Sequence, residues 1–484
     1  MTEHLSATPL AGARFLAAAA VCLLLPWDGA AQTHSANRST LPAVRDSYAD
    51  VVDKVAPAVV TIRSARRVRE AQQFPFFDDP FFRQFFGGRS GSRPRQDRAL
   101  VEHALGSGVI VSADGYILTN HHVVDGAEEI SVDLSDRRSF AAKLIGSDPP
   151  SDLALLKIEA TGLPVLQLGD SDRVRVGDVC LAVGNPLGIG ETVTAGIISA
   201  KGRATGLSDG SFEDFLQTDA AINQGNSGGA LVNAHGELIG INSQILSPSG
   251  GNIGIGFAIP SNMARNVMEQ LKAGGKVRRG RLGAGIQEIT SDLAKSLGLA
   301  EVRGVLVNSV DRDGPAERAG VKPGDVITAV NGMRVDDANA LRNHIAGMAP
   351  GTEVTLTVLR AGRQEELHAR LGELPANRES ASGSGGPASG RELLGVTVEP
   401  LTPEAAGRLG LGRGTRGVIV EDVDPAGPAA EAGIQPDDVI LEVNHQPVTS
   451  SAELRAALRR SGSRPALLLV SRDGRNVFLA ITPR

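Results

Sequence analysis

Cysteine is almost missing from this sequence: 484 residues carry two, at positions 22 and 180. Two thiols build neither a disulfide scaffold nor a zinc cluster. A basic tract is missing as well. Lys and Arg number 49 against 55 Asp and Glu, a net charge of −6, so the positive face used for nucleic acid is not there. Nor does any stretch reach the ~18 uninterrupted apolar residues of a membrane span. The longest apolar run, Phe15 to Leu25, has 11 residues. It follows Arg14 and precedes Pro26 and Gly29-Ala30-Ala31, a pattern of small residues that suits cleavage before Gln32. Residues 1–31 therefore read as a secretory signal peptide. Cleavage removes Cys22 and leaves a soluble, exported chain whose remaining thiol, Cys180 between Val179 and Leu181, reads as a buried strand residue.

What is present is 41% hydrophobic and 21% charged residues, a globular balance. At roughly 150 residues per domain this length makes about three folded units. Glycine, at 58 residues, exceeds the usual ~7% and points to many tight turns. From about 46 to 277 short Val/Ile/Leu runs alternate with Gly, Asn and Asp. Gly108-Val109-Ile110-Val111-Ser112, Ala113-Asp114-Gly115 and Tyr116-Ile117-Leu118-Thr119 are one such strand, turn and strand. Short strands with Asp-Gly turns predict a barrel or sandwich. A helix closes this block, with Ser261 as its expected N-cap and Gly274 as its stop.

Two later blocks repeat each other. Gly304, Gly314-Pro315-Ala316, Ala319-Gly320, Asp325-Val326-Ile327 and Asn331 recur 113 residues on as Gly417, Gly427-Pro428-Ala429, Ala432-Gly433, Asp438-Val439-Ile440 and Asn444. A constant offset marks a duplicated domain. The expected units are thus 46–277, 278–374 and 391–484, with a Gly/Ser-rich linker over 375–390. One segment stands apart. Seven of the 13 Phe lie between 74 and 86, inside a polar stretch ending near 98. This is the composition of a loop that meets another subunit or covers a cleft.

The chemistry begins at Gly225-Asn226-Ser227-Gly228-Gly229. Glycines let a turn present a serine hydroxyl and leave backbone N–H groups for an oxyanion. Such a serine needs a histidine base and a carboxylate to orient it. His121 and His122 follow the apolar strand that ends at Thr119. On extended backbone only one of them faces a shared cleft, and spacing alone does not choose. His103 and His235 adjoin polar turn sequence and read as surface residues. Asp152, at the mouth of Leu153-Ala154-Leu155-Leu156, is the expected acid, because a buried carboxylate there wants a donor. Asp148 competes and reads as a turn residue. Gly412-x-Gly414-x-x-Gly417 satisfies a dinucleotide motif but lacks the strand–helix context.

Thr119-Asn120-His121-His122-Val123, Ser151-Asp152-Leu153-Ala154-Leu155 and Gly225 to Leu231 together resemble the HtrA/DegP group of exported serine proteases. Gly184-Asn185-Pro186 and Gly254 to Pro260 extend the resemblance. It implies a mainly β protein, with a chymotrypsin-like double β-barrel followed by two α+β PDZ domains. The group's T-N-x-H-V pattern selects His122, makes Asp152 the orienting acid and Ser227 the nucleophile, and assigns the N–H groups of Gly225 and Ser227 to the oxyanion hole. No metal or other cofactor is implied. Six residues before the nucleophile, at the base of the S1 pocket in such folds, stands Ala221. With Ile222 and Ile241 as apolar walls it favours small aliphatic P1 residues. Arg281-Leu282-Gly283-Ala284 and Leu394-Gly395-Val396 resemble PDZ carboxylate-binding loops, which capture a peptide C-terminus as its strand joins the sheet edge. The second copy has Asp437 and His445 where the first has Gly324 and Gly332, so a changed loop shape is expected there. The resemblance further implies unfolded or misfolded protein substrates, ATP-independent action in the periplasm, and a homotrimer or larger assembly.

Overall fold

A computed structural model describes residues 47–68, 100–185, 191–205, 211–223, 225–247, 251–299, 301–375, 395–412, 414–425, 427–461 and 465–482. The segment 1–31 expected to be a signal peptide, the Phe-rich segment 74–98, most of the 375–390 linker and Leu394 lie outside them.

From Tyr48 the fold is built mainly of antiparallel strands. A first closed barrel comprises β1 (Val59–Val68), β2 (Leu100–Ile110), β3 (Tyr116–Thr119), β4 (Glu129–Asp133), β5 (Ser139–Asp148) and β6 (Leu153–Ile158), in the order β1-β2-β3-β6-β5-β4. A second comprises β7 (Val179–Gly184), β8 (Thr192–Arg203), β9 (Phe215–Thr218), β10 (Ala230–Asn233), β11 (Leu238–Ile245) and β12 (Gly256–Pro260), in the order β10-β11-β12-β9-β8-β7. Closure leaves neither sheet a bare edge. Ile62, Ile110, Leu118, Leu155 and Leu156 are buried on the two faces of the first barrel's sheet, and Ile198, Leu216 and Leu231 belong to the core of the second.

The helix Ser261–Gly274 packs on β5, β6 and β11 and so bridges the barrels. Its ends differ from the expectation. Ser261 is the first helical residue and donates its hydroxyl to Gly169 O, 3.0 Å away, while Ser171 Oγ accepts from Asn262 N–H at 3.1 Å. The cap is thus borrowed from another segment, which local sequence does not reveal. Gly275, with φ 69°, terminates the helix in the left-handed conformation.

Two α+β units follow. In the first, β14 (Ala284–Glu288), β15 (Val305–Val310), β16 (Val326–Val330), β18 (Glu353–Arg360) and β19 (Arg363–Arg370) form a sheet in that order. The short β17 (Met333–Arg334) pairs with β16, and β13 (Gly280–Arg281) with β20 (Gly372–Glu373). The second repeats the plan with β21 (Val396–Pro400), β22 (Val418–Val423), β23 (Val439–Val443), β25 (Ala466–Arg472) and β26 (Arg475–Ile481), and β24 (Gln446–Pro447) pairs with β23.

The sequence repeats have physical reasons. Asp325 is buried and bound by Arg360 through two 2.7 Å contacts; Asp438 is bound the same way by Arg472 at 2.8 Å. Removing the arginine would leave a buried aspartate without its cation. Asn331 and Asn444 each exchange hydrogen bonds with a strand residue, Thr355 and Leu467 respectively, which fixes the adjoining turn. That turn keeps its shape in the second copy, against expectation. Asp437 (φ 65°) and His445 (φ 61°) hold the left-handed conformation of Gly324 (φ 90°) and Gly332 (φ 77°). The asparagine clamp holds the backbone at His445, and Asp437 N–H donates to Val420 O as Gly324 N–H does to Val307 O, so non-glycine residues occupy both positions despite a penalty of about 1–2 kcal/mol each.

Candidate active site

The site lies where the two barrels meet. After β3, Asn120 leads into a helical turn, His121–Val124. The two histidines are therefore not on extended backbone, and the alternation argument does not apply to them; a helical turn separates adjacent side chains by about 100°. His122 is 6% exposed and its Nδ1 lies 2.9 Å from both carboxylate oxygens of Asp152. His121 is 20% exposed, and its Nε2 lies 3.5 Å from Asp125. His235 is exposed, as expected.

Asp152 follows the 3-10 turn Pro149–Ser151 and has φ 53°, a left-handed conformation for a non-glycine residue. Its carbonyl accepts from His121 N–H (3.1 Å) and Asn120 Nδ2 (3.0 Å), stitching the start of β6 to the histidine turn. Its carboxylate accepts further from His122 N–H (3.1 Å) and Ser243 Oγ (2.9 Å). Burial pushes the carboxyl pKa up. The His122 charge, the hydrogen bonds from His122 and the Ser243 hydroxyl outweigh it and hold the group below the ordinary value.

Ser227 is 8% exposed in a turn that β2 supports. Ser107 N–H donates to Ser227 O (2.9 Å), and Ser107 Oγ donates to Gly225 O (2.5 Å) while accepting from Asn185 N–H (2.9 Å). Gly228 (φ 82°) allows this approach: a Cβ there would sit 2.1 Å from Ser107 O. Among the described residues, the N–H groups of Gly225 and Ser227 donate to no acceptor, whereas Asn226 N–H closes the turn on Asn223 O at 3.0 Å. The Ser227 hydroxyl donates to Ser243 O, 3.0 Å away.

Ser243 thus touches both Asp152 and Ser227, and sequence reading missed it. It occupies a β-bulge: on β11, Asn242 pairs with Ala258 and Gln244 with Phe257, leaving Ser243 extra. A bulge re-aims one residue out of the alternation. Ser107 was missed for a similar reason, since its role comes from contact between barrels.

Of the expected pocket residues, Ala221 accepts from Thr194 Oγ1 (2.8 Å), and Ile222 is buried in the second barrel's core, facing Gly256. Ile241 is not brought to them. A second bulge on β11 leaves Ile239 unmatched against β10 and turns Ile241 into the cluster between the barrels, with Ala230 and Val183. Asp148 is no simple turn residue: it is buried, accepts from Ser151 Oγ, and binds Arg279 at 2.7 and 2.5 Å. Arg279 also covers the Phe212 ring, 4.4 Å from its centre. Beside this pair the helix Ala338–Ala346 reaches the barrel, with Asn339 and Asn343 donating to Glu213 O at 2.7 and 2.6 Å. A cavity of about 470 Å³ lies between them, lined by Asp172, Asp214, Met263, Val335 and His344 among others.

In the first repeat, Leu282 is buried in the core, Gly283 has φ 74°, and Arg281 pairs with Asp311. Gly283 O accepts from Asp311 N–H at 2.9 Å, and Ala284 opens β14, the free outer strand of its sheet. In the second repeat Gly395 (φ 77°) likewise accepts from Asp424 N–H, and Val396 is buried at the start of the outer strand β21. Cys180 is buried beside Thr218, and burial pushes its thiol up to about 11. Among the described residues no helix is long and apolar enough to cross a membrane.

The family model of a trypsin-like peptidase domain matches residues 106–241, and PDZ domain models match 280–371 and 419–472. A probable periplasmic serine endoprotease DegP-like from Chlamydia trachomatis serovar D is 44% identical over 447 residues, covering 89% of this chain and 87% of the relative. One of the same description from Brucella suis biovar 1 is 42% identical over 479 residues, covering 91% and 90%. Among solved structures, the HtrA-type protease AlgW with a tripeptide aligns at a TM-score of 0.55 and 46% identity, covering 68% of this chain and 98% of AlgW.

Proposed function

The chain belongs to the HtrA-type, DegP-like serine endoproteases, and on that premise we propose that it is exported to the periplasm and there cleaves misfolded or unfolded proteins without ATP. The unit over 46–277 does the cutting, and those over 278–374 and 391–484 handle the substrate. His122 is the base, Asp152 its orienting acid and Ser227 the nucleophile. The observation that carries this assignment is the His122–Asp152 pair, with Nδ1 2.9 Å from both oxygens, beside a serine in a glycine-built turn.

The steps follow from the geometry. With its Nδ1 proton held by Asp152, His122 presents an unprotonated Nε2. The Ser227 hydroxyl leaves Ser243 O, gives its proton to that nitrogen and attacks a peptide carbonyl. The N–H groups of Gly225 and Ser227 receive the oxyanion. His122 then returns the proton to the leaving amine, and water, activated in the same way, frees the acyl group. Asp152 stays ionised throughout and stabilises the imidazolium. Ala221 at the pocket base, with Ile222 behind it, suits small aliphatic P1 side chains. These are buried in folded proteins, which directs cleavage to unfolded ones. The Gly283 and Gly395 loops, each opening a free edge strand, suit capture of peptide C-termini. A trimer or larger assembly is part of the same proposal, on family grounds.

Turnover of casein by the natural chain and by Ser227→Ala tests the assignment. Loss of turnover in the variant is expected; equal turnover would refute it. A chaperone with secondary proteolysis is the alternative, and it would show aggregation suppression undiminished in Ser227→Ala with casein cleavage negligible in both.

A further inference from the structure

We propose that the second PDZ unit acts as an intramolecular clamp on β14, the strand to which a C-terminal peptide would add in the first, so that its docking tightens peptide binding there. This rests on the reading of the first PDZ unit as a C-terminus receptor.

β14 is the outermost strand of its sheet, paired along its length with β15 alone. It contains Gly285, and its pairing with β15 is interrupted by a bulge between Gly285 and Ile286. A glycine and a bulge weaken an edge strand held on one side only, so a peptide adding to it bears part of the cost of fixing it. Immediately beyond the bulge, Ile286 turns inward to its own core and Gln287 the opposite way. The Gln287 amide takes both backbone groups of Phe478 on β26: Nε2 donates to Phe478 O at 2.9 Å, and Phe478 N–H donates to Oε1 at 2.7 Å. One side chain thus imitates a strand partner and fixes β14 to the neighbouring unit.

The contact is not isolated. Ile289, Leu293 and Leu306 of the first unit form one buried cluster with Leu467, Leu469 and Phe478 of the second. A second point of contact explains an oddity of the repeat. His445 stands in a left-handed turn where its counterpart is Gly332, and its ring lies edge-on to Phe478 at 6.2 Å and over Gly324. A Cβ on Gly324 would come within 2.8 Å of that ring. The glycine in one copy and the histidine in the other fit together across the interface. Farther along, Glu288 Oε1 accepts from Ala338 N–H at 2.8 Å, at the first residue of the helix Ala338–Ala346. The clamped strand is therefore tied to a helix of its own unit as well. Ordering the strand before the peptide arrives removes a free-energy penalty from binding.

The test uses the full chain carrying Ser227→Ala, so that peptide survives, and a fluorescent decapeptide ending in a free apolar carboxylate. Its affinity is read by anisotropy, with the C-terminally amidated peptide as control. Gln287→Ala and His445→Gly are compared with the parent. His445→Gly is informative because a glycine at φ 61° does not weaken the turn itself. The expected result is a preference for the free acid in the parent, with binding about 3–10-fold weaker in each variant. Faster amide exchange in residues 284–288 should accompany it. A parent that does not discriminate acid from amide overturns the receptor reading. Preserved discrimination with both variants within twofold of the parent overturns the clamp alone.

Discussion

Asp152→Asn is nearly isosteric, yet the hydrogen bonds around Asp152 turn it into a severe catalytic lesion. The carboxylate accepts from His122 N–H at 3.1 Å on Oδ1, from Ser243 Oγ at 2.9 Å on Oδ2, and from His122 Nδ1 at 2.9 Å on both. A backbone N–H only donates, so the amide oxygen must stay at the Oδ1 position. The amide nitrogen then replaces Oδ2 and donates toward Nδ1, which moves the ring proton to Nε2. That tautomer does not accept a proton from Ser227, and the imidazolium loses its counter-charge. The same exchange in a related triad lowers kcat by ~10⁴, roughly 5.5 kcal/mol. A loss of that size in kcat/KM is expected here on an unfolded substrate at neutral pH, with the fold intact by circular dichroism. Retention of more than a tenth of the activity in a folded variant would refute the role given to Asp152.

Ser243→Ala removes a donor that helps hold Asp152 below its usual pKa, a bond to a charged group worth about 1.5–3 kcal/mol. The carboxylate loses one of the bonds that orient it toward His122, so kcat/KM on an unfolded substrate at neutral pH should fall, and Ser243→Thr should restore it; an unchanged kcat/KM would contradict this. Arg279→Met leaves Asp148 buried with Ser151 and without its cation, and should lower stability to urea by about 3–5 kcal/mol. Adding Asp148→Asn should recover part of that loss, whereas no recovery would show the pair is not the cause. Asp214 lies in the cavity between barrel and first PDZ unit, where burial, then Asp172 and Asp337 against the opposing Lys201, push it up to about 6 from 3.8. A raised carboxyl pKa contributes stability at low pH that is lost as pH rises through about 6. Asp214→Asn should therefore raise the melting temperature at pH 8, by at most roughly 3 kcal/mol in stability, and have little effect at pH 4; equal shifts at both would refute it.

The fold was legible where chemistry is local. Alternating apolar runs with Asp-Gly turns announced the barrels, and the fixed 113-residue offset announced a duplication that Asp325–Arg360 and Asp438–Arg472 later explained. Asp152 was legible as a carboxylate needing a donor, and Ser227 from its glycines. What escaped depends on contacts distant in sequence or on one extra residue in a strand. Ser243 and Ile241 both follow from bulges on β11, each of which reverses the alternation on which strand reading relies. Ser107 and Ser171 act through contacts 118 and 91 residues away. His121 and His122 misled because a single helical turn replaced the extended backbone expected after β3. The turn at His445 kept its shape without glycine because Asn444, the turn residue before it, is tied to Leu467 on β25.

An active-site-directed fluorophosphonate, applied with unfolded polypeptide and followed by peptide mapping, tests the proposed nucleophile most directly. One adduct on Ser227 is expected, abolished by Ser227→Ala and strongly slowed by Asp152→Asn. No adduct, or one on another serine that survives Ser227→Ala, would contradict the mechanism.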